Sequence, residues 1–479
     1  MPDKRMQSVV VIAYYFPPEG GAAAYRPLRF VRHLGETGWR ASVVTRDASI
    51  HDRFDPDLLQ EVPPDVEITR VRDGDLWQAF QARRARRVER GIASGRVDRA
   101  ELQVAHQRQW RARLRRLVHR AEAWCYYPDT ASAWIGRATR ATAALCRRTR
   151  PDALLVTGGP WSSFLVARNI AKQTGTPYVL DFRDSWTLTC NDEFEALRPK
   201  WAPLRDRWIL PRLFSEARAV VFRYESEAEC YWNAYPGALT REKIHIIPNG
   251  YEGTIEPFAA ARGDRCTLLY TGTVGPYRYD TFLDALSTLR ANFADDARHL
   301  RVLFVGEGTD GVARAAAANG LGDIVEVRPP VPSAEVARLQ QQAHALFLLG
   351  VKPYQGYELC GSKVFNYLKA GRPILGVLPA DESRRVLAQV GVSTIADTDS
   401  RFAIVSALRR VIGAWRDNTL GRLVPDPRQC AVYAAPHQTR ALACALEGRA
   451  PATPFVPGTV EMPASLKHKI GEHGWITQP

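Results

Sequence analysis

Cysteine is sparse and scattered. Eight residues, at positions 125, 146, 190, 230, 266, 360, 430 and 444, serve a chain of 479, and no two stand as C-x-x-C. That spacing excludes a disulfide framework or zinc ribbon and points to reduced thiols in a cytoplasmic protein. No uninterrupted apolar run reaches the ~18–20 residues of a spanning helix. The run Val9–Phe16 has the length of a secretion-signal core, but it leads into Pro17-Pro18-Glu19-Gly20-Gly21 rather than a small-residue cleavage site. It reads as a first strand. Walker A, H-E-x-x-H and G-x-S-x-G patterns are missing, which counts against P-loop chemistry, zinc hydrolysis and serine hydrolysis.

What remains is ordinary globular composition, 46% hydrophobic and 24% charged, in a length that suits two to four domains. The net charge is +14, carried by 56 Arg and nine Lys against 51 acids. The excess is local: residues 79–120 hold thirteen Arg and three acids. Trp110, Leu114, Leu117, Ala121 and Trp124 recur at helical spacing within and just after this segment, predicting an amphipathic helix with an Arg-rich opposite face. Three readings stand for 79–124: a solvated face, a helix on an anionic membrane surface, and a nucleic-acid contact. Nucleic acid ranks last, because no known recognition module accompanies the charge.

Strand and helix patterns alternate through both halves. Strands are expected at Val9–Tyr14, Ala41–Thr45, Val66–Val71, Ala153–Val156, Tyr178–Asp181, Ala219–Phe222 and Ile244–Ile247. A second series follows at Thr267–Tyr270, Arg301–Val305, Ile324–Val327, Ala345–Leu349 and Ile374–Leu378. This rhythm predicts two doubly wound α/β domains facing across a cleft, with ligands at the carboxyl ends of the strands. The boundaries read as 1–255 and 266–425 around a linker at 252–265, then a closing helix at 426–447 and a tail at 448–479.

Candidate chemistry sits in the turns after strands. Gly20 and Gly21 follow the first strand and let backbone approach a ligand at a helix start. Asp181-Phe182-Arg183-Asp184-Ser185-Trp186 places carboxylates and a guanidinium after another strand, suited to hydroxyl recognition or charge stabilisation. Thr271-Gly272-Thr273-Val274-Gly275-Pro276-Tyr277-Arg278 opens the second series, with Arg278 as a phosphate partner. Gly361 and Ser362 start a helix carrying Lys363 and Asn366, with Glu358 just ahead; free N–H groups at such a start bind a pyrophosphate. Gly306–Gly311 matches G-x-G-x-x-G, but after the second strand of its series rather than the first. It supports the alternative of an NAD-dependent oxidoreductase; a non-catalytic glycan- or nucleic-acid-binding protein is a further alternative. The D-x-D tripeptides at 55–57, 73–75 and 397–399 read as turns, so no metal site is expected.

Taken in order, these segments resemble the family 4 glycosyltransferases of the GT-B fold. The resemblance rests on Tyr14–Pro18 with its Gly-Gly turn, Asp181–Trp186, Ile247-Pro248-Asn249-Gly250, Tyr270–Thr273, Ser362–Leu368 and Ala370–Leu375, and it covers about residues 8–447. With the reduced cysteines and the Arg-rich segment, the reading is a cytoplasmic glycosyltransferase acting in surface polysaccharide synthesis, with 79–124 as the part that would place it on the inner face of the cell membrane. By this resemblance its second domain would bind a nucleoside-diphosphate sugar. Its first would bind a glycan or lipid-linked acceptor. Transfer would retain the anomeric configuration without metal or cofactor. Glu358 would contact the donor sugar. Asn366 stands where the family places a second glutamate toward the ribose. Arg278 and Lys363 would hold the diphosphate, with Gly20, Gly21, Gly272, Thr273, Gly361 and Ser362 at the donor. Asp181 and Arg183 would meet acceptor or sugar from the first domain. Phe164 occupies the region where many relatives carry a histidine.

Overall fold

The computed structural model describes residues 5–47, 54–73, 127–187, 201–261, 263–275, 277–350 and 360–457. The Arg-rich segment through residue 124, Glu358, and the tail from 458 onward lie outside these residues. The chain divides into two units, residues 1–248 with 439–479, and residues 249–438.

The first unit runs β1 (Gln7–Ile12), α1 (Ala22–Leu34), β2 (Trp39–Asp47), β3 (Glu67–Arg72), α2 (Ile135–Thr149), β4 (Ala153–Thr157), α3 (Ser162–Thr174), β5 (Tyr178–Phe182), α4 (Ala202–Glu216), β6 (Ala219–Phe222), α5 (Glu225–Ala234) and β7 (Ile244–Ile246). Its strands are all parallel in the order β3-β2-β1-β4-β5-β6-β7. Helices on both faces explain why β4, β5 and β6 are buried at every position, with no alternation to read.

The second unit runs β8 (Cys266–Thr271), α6 (Asp280–Asn292), α7 (Ala294–Arg298), β9 (Leu300–Val305), α8 (Thr309–Ala318), β10 (Val325–Arg328), α9 (Ser333–Gln342), β11 (Ala345–Leu349), α10 (Ser362–Lys369), β12 (Ile374–Val377), α11 (Glu382–Gln389), β13 (Ile395–Ala396), α12 (Arg401–Arg416) and α13 (Pro427–Cys430). Its parallel sheet is ordered β10-β9-β8-β11-β12-β13. Each sheet reverses direction beside its first strand, between β1 and β4 and between β8 and β11. Ligands of doubly wound sheets bind at that switch point, outside the carboxyl ends of the strands.

Two expected segments differ. The helix expected over 426–447 is broken into α13, a single tight turn at Ala431–Tyr433, and α14 (Ala435–Glu447). Pro436 accounts for the break, since its ring and missing N–H disfavour a helix continuing into it but fit the first turn of a new one. Leu442, Ala443, Ala445 and Leu446 of α14 pack into the core of the first unit. Residues 252–265 do not hang as a free linker: Glu256 N–H donates to Lys369 O, and Arg372 donates to Ala259 O and stacks on Phe258.

Candidate active site

In the first unit, the turn after β1 is tied down on several sides. Arg46 lies over the rings of Tyr14 and Tyr15, 5.0 and 4.8 Å from their centroids, and pairs with buried Glu19 at 2.6 Å. Arg70 donates to Pro17 O at 2.7 Å, and Asp55 N–H to Pro18 O at 2.9 Å. Burial, and next the carboxylate of Asp73 that accepts its hydroxyl, raise the Tyr14 phenol far above its ordinary range. Gly20 and Gly21 follow this braced turn, and Gly21, with φ of 99°, starts α1.

Asp181 is not exposed to a substrate in this unit. It is 1% exposed and accepts from Nε and Nη2 of Arg26, itself 2% exposed. Arg26 also donates from Nη2 to Ile247 O and from Nη1 to Pro248 O. The expectation that Asp181 meets acceptor or sugar gives way to an internal ion pair. It joins three separate sequence motifs: the first helix, the Asp181–Trp186 run and the Pro248-Asn249 turn. Arg26 was missed because the helical pattern of α1 does not mark it; only the fold brings it to β5.

Arg183 lies at the carboxyl end of β5, pairs with Asp184 at 2.8 Å and donates to Gly159 O. A Cβ on Gly159, whose φ is +83°, would stand 2.4 Å from the Asp184 carboxylate and 2.7 Å from Arg183. Arg223 approaches Asp184 at 3.9 Å and Glu227 at 3.8 Å, and Ser185 donates to Glu227. Glu227 is fully buried, and that burial raises its carboxyl pKa above the usual range. Nothing in the sequence pattern singled out Arg223 or Glu227. Phe164, 0% exposed, packs on Phe182 at 4.9 Å and fits against Gly158, where a Cβ would lie 2.2 Å from its ring. It is a core residue.

In the second unit, the turns after β8 and β9 meet the start of α10. Gly272 has φ of +109°, and a Cβ there would lie 2.7 Å from Lys363 Cε. A Cβ on Gly306 would strike Gly272 O at 2.2 Å. Only glycine fits either place. Lys363 Nζ donates to Thr273 O at 2.9 Å and to the Tyr270 hydroxyl. It also lies 4.2 and 4.3 Å from the ring centroids of Tyr270 and Tyr277. No carboxylate among the described residues pairs with it, and burial pushes its pKa down to about 7. Tyr367, one turn further along α10, accepts Thr271 N–H at 2.8 Å and fixes the turn from below. Tyr270 and Tyr277 were not expected as site residues; the alternation of β8 hides Tyr270 among core positions.

Gly361 and Ser362 are exposed at the head of α10, and Asn366 is exposed one turn inside it. Thr273 Oγ1 faces Glu307 at 3.5 Å. Arg278 does not stand as a free phosphate partner. Its guanidinium is shared between Asp280 at 3.3 Å and Asp399 at 3.2 Å, with Thr281 as a further acceptor. The two carboxylates offset its charge. The cation aimed at the glycine turns is Lys363. Gly306–Gly311 follows β9, the second strand of its unit, and Gly308, with φ of 76°, starts α8. Asp397 caps its own turn by accepting Asp399 N–H, as expected of that D-x-D.

Residues 91–252 match the family model described as Glycosyltransferase Family 4. No curated protein sequence matches the chain. Among solved structures, the chain is similar to a sucrose-phosphate synthase from Thermosynechococcus elongatus, at 14% identity over 91% of this chain and 97% of that one, with TM-score 0.57. It is similar to the lipopolysaccharide outer core galactosyltransferase WaaB, at 14% identity, 92% and 99% coverage and TM-score 0.54. A third likeness is to an S. aureus TarM variant in complex with fondaparinux, α-GlcNAc-glycerol and UDP, at 9% identity, 92% and 100% coverage and TM-score 0.52.

The two doubly wound units define the GT-B fold, and the family match falls on the first of them. The chain has that fold, and its residues 91–252 carry the match to the family 4 glycosyltransferase model.

Proposed function

We propose that the enzyme moves a sugar from a nucleoside diphosphate to a glycan or lipid-linked acceptor in surface polysaccharide synthesis. The donor would sit on the second unit, its diphosphate at the glycine turns and the start of α10. The observation that carries this is Lys363: a mostly buried cation without a carboxylate partner among the described residues, aimed at turns that only glycine can form.

In the proposed reaction, the bond between the anomeric carbon and the diphosphate oxygen breaks. The acceptor oxygen bonds to the same face, and its proton passes to the leaving diphosphate. Negative charge grows on that oxygen, where Lys363 and the unpaired N–H groups of Gly361 and Ser362 would offset it in place of a metal. Glu358 would orient the sugar hydroxyls and Asn366 the ribose. The first unit would take the acceptor near Arg183 and Asp184. The likeness to WaaB and to a UDP-bound TarM variant supports this choice of substrates. The Arg-rich segment 79–124 would hold the enzyme on the anionic inner face of the membrane.

Thermal shift of the full chain against UDP, GDP, dTDP and NAD tests the donor. At 100 times its dissociation constant a ligand adds about 2.7 kcal/mol, several degrees for units of this size. A shift with one nucleoside diphosphate, together with slow hydrolysis of the matching sugar donor, is expected. A shift with NAD alone would transfer the Gly306–Gly311 turn to an oxidoreductase reading and overturn the proposal.

A further inference from the structure

Tyr270 is placed by the core of the second unit. It shares the buried face of β8 with Cys266 and Leu268, and its ring centroid lies 5.5 Å from those of both Phe304 and Phe347. Phenylalanine would serve that packing as well, so the hydroxyl is the part the core does not require. That hydroxyl reaches into the turn after β8 and donates to Thr273 O at 2.8 Å. With its one proton committed there, the oxygen presents a lone pair to the Lys363 ammonium, which donates to it. Lys363 also donates to Thr273 O at 2.9 Å, so ammonium, phenol and carbonyl close a triangle of hydrogen bonds. Burial raises the Tyr270 phenol far above its ordinary range and keeps it neutral.

A lysine head is a point charge on a flexible four-carbon stem, so a lysine meant for one oxygen must be aimed by its neighbours. The stem of Lys363 lies against Gly272, where a Cβ would stand 2.7 Å from Cε. Two acceptors then fix its head. Thr273 O is backbone, which any residue at 273 would supply; the Tyr270 hydroxyl is a choice of side chain. The rings of Tyr270 and Tyr277 favour a cation near them but set no single direction for its N–H groups. Tyr367 supplies the contrast. Its hydroxyl accepts Thr271 N–H and supports the same turn without a hydrogen bond to the lysine. We propose that Tyr270 is a positioning residue for the transfer, its hydroxyl fixing the Lys363 ammonium over the Gly272–Thr273 turn before the donor arrives. A cation already in place costs no reorganisation when charge develops on the leaving oxygen. This rests on the reading of Lys363 as the cation of the diphosphate and adds the group that aims it.

The test is calorimetric titration of the full-length chain with UDP, GDP and dTDP from about pH 6 to 9. Affinity of the wild type should fall as Lys363 loses its proton. Tyr270→Phe keeps the ring that packs the core and should weaken binding about tenfold at neutral pH, the worth of a hydrogen bond to a charged group. It should also move the loss of affinity to lower pH, because the ammonium has lost an acceptor. Lys363→Met should weaken binding and abolish the pH dependence, and Tyr270→Phe added to it should change nothing further. Tyr367→Phe should lower the melting temperature and leave the pH of the affinity loss where it is. Tyr277, Arg278 and Glu307 in the turns after β8 and β9, and Glu358 and Cys360 ahead of α10 in sequence, are the same in every variant, as is the ionisation of the nucleotide. Tyr270→Phe binding like wild type, or weakening binding equally with and without Lys363, would overturn the proposal and leave the role of the lysine standing. An equal pH shift in Tyr367→Phe would overturn it too, since it would mean a loosened turn and not an aimed cation. Lys363→Met binding as tightly as wild type would fault the donor reading itself, and this proposal with it.

Discussion

Asp181→Asn separates a structural carboxylate from a catalytic one. The pair it breaks is almost wholly out of water, at 1% and 2% exposure, and the Arg26 guanidinium cannot neutralise itself. Removing one partner of such a pair costs about 3–5 kcal/mol, because the remaining charge stays buried without compensation. For a unit of this size each kcal/mol moves the melting temperature by roughly 2 °C, so a fall of about 6–10 °C is expected. Arg26→Met/Asp181→Leu removes both charges and should recover much of the loss. It should not recover all of it, because Ile247 O and Pro248 O lose their donors, at about 1 kcal/mol each. Differential scanning calorimetry with donor-hydrolysis rates on the same samples is the assay. The expected pattern is a double variant more stable than Asp181→Asn. If Asp181→Asn melts within a degree of wild type yet loses turnover by orders of magnitude, the ion-pair argument fails and the carboxylate acts in the chemistry.

Two further predictions follow from titrating groups. Lys363 has its pKa lowered from the ordinary 10.5 to about 7, so the unfolded chain holds the proton more strongly between those values. Stability of the free enzyme should therefore rise with pH across that window, and donor affinity should fall as pH rises past about 7; both slopes should vanish in Lys363→Met, read by melting and by donor KM against pH. Burial raises the Glu227 carboxyl pKa, so its contribution is full in acid and is lost as pH rises through the folded value. Glu227→Gln, which keeps the shape without the charge, should melt at or above wild type at pH 8, and a melt several degrees lower would mean that the ionised form is the one the fold holds.

Short apolar runs separated by helical stretches were enough to place twelve of the thirteen strands among the described residues and to imply two parallel sheets. β13, two residues long, carries too little pattern to read. Helices α2, α3, α4, α5, α7, α8, α11 and α12 carried no expectation; in α2 and α12, for example, Thr, Arg and Ala blur the apolar stripe. Of the site, the glycine turns and the head of α10 were legible, since Gly272 and Gly361 stand where local backbone demands or helix starts are written in single residues. Which charged side chain acts was not legible. Arg278 and Asp181 look equally available in sequence, yet one is shared between Asp280 and Asp399 and the other is locked to Arg26.

The sequence alone determined what depends on neighbours along the chain: strand period, helix starts, and the turns that only glycine permits. The tertiary structure decided what depends on partners far away in sequence. Arg26 meets Asp181 across 155 positions, and Lys363 meets Tyr270 across 93. Coulomb energy and desolvation depend on distance in space, so whether a charge is spent inside the fold or left for a ligand is settled only when the sheets have formed.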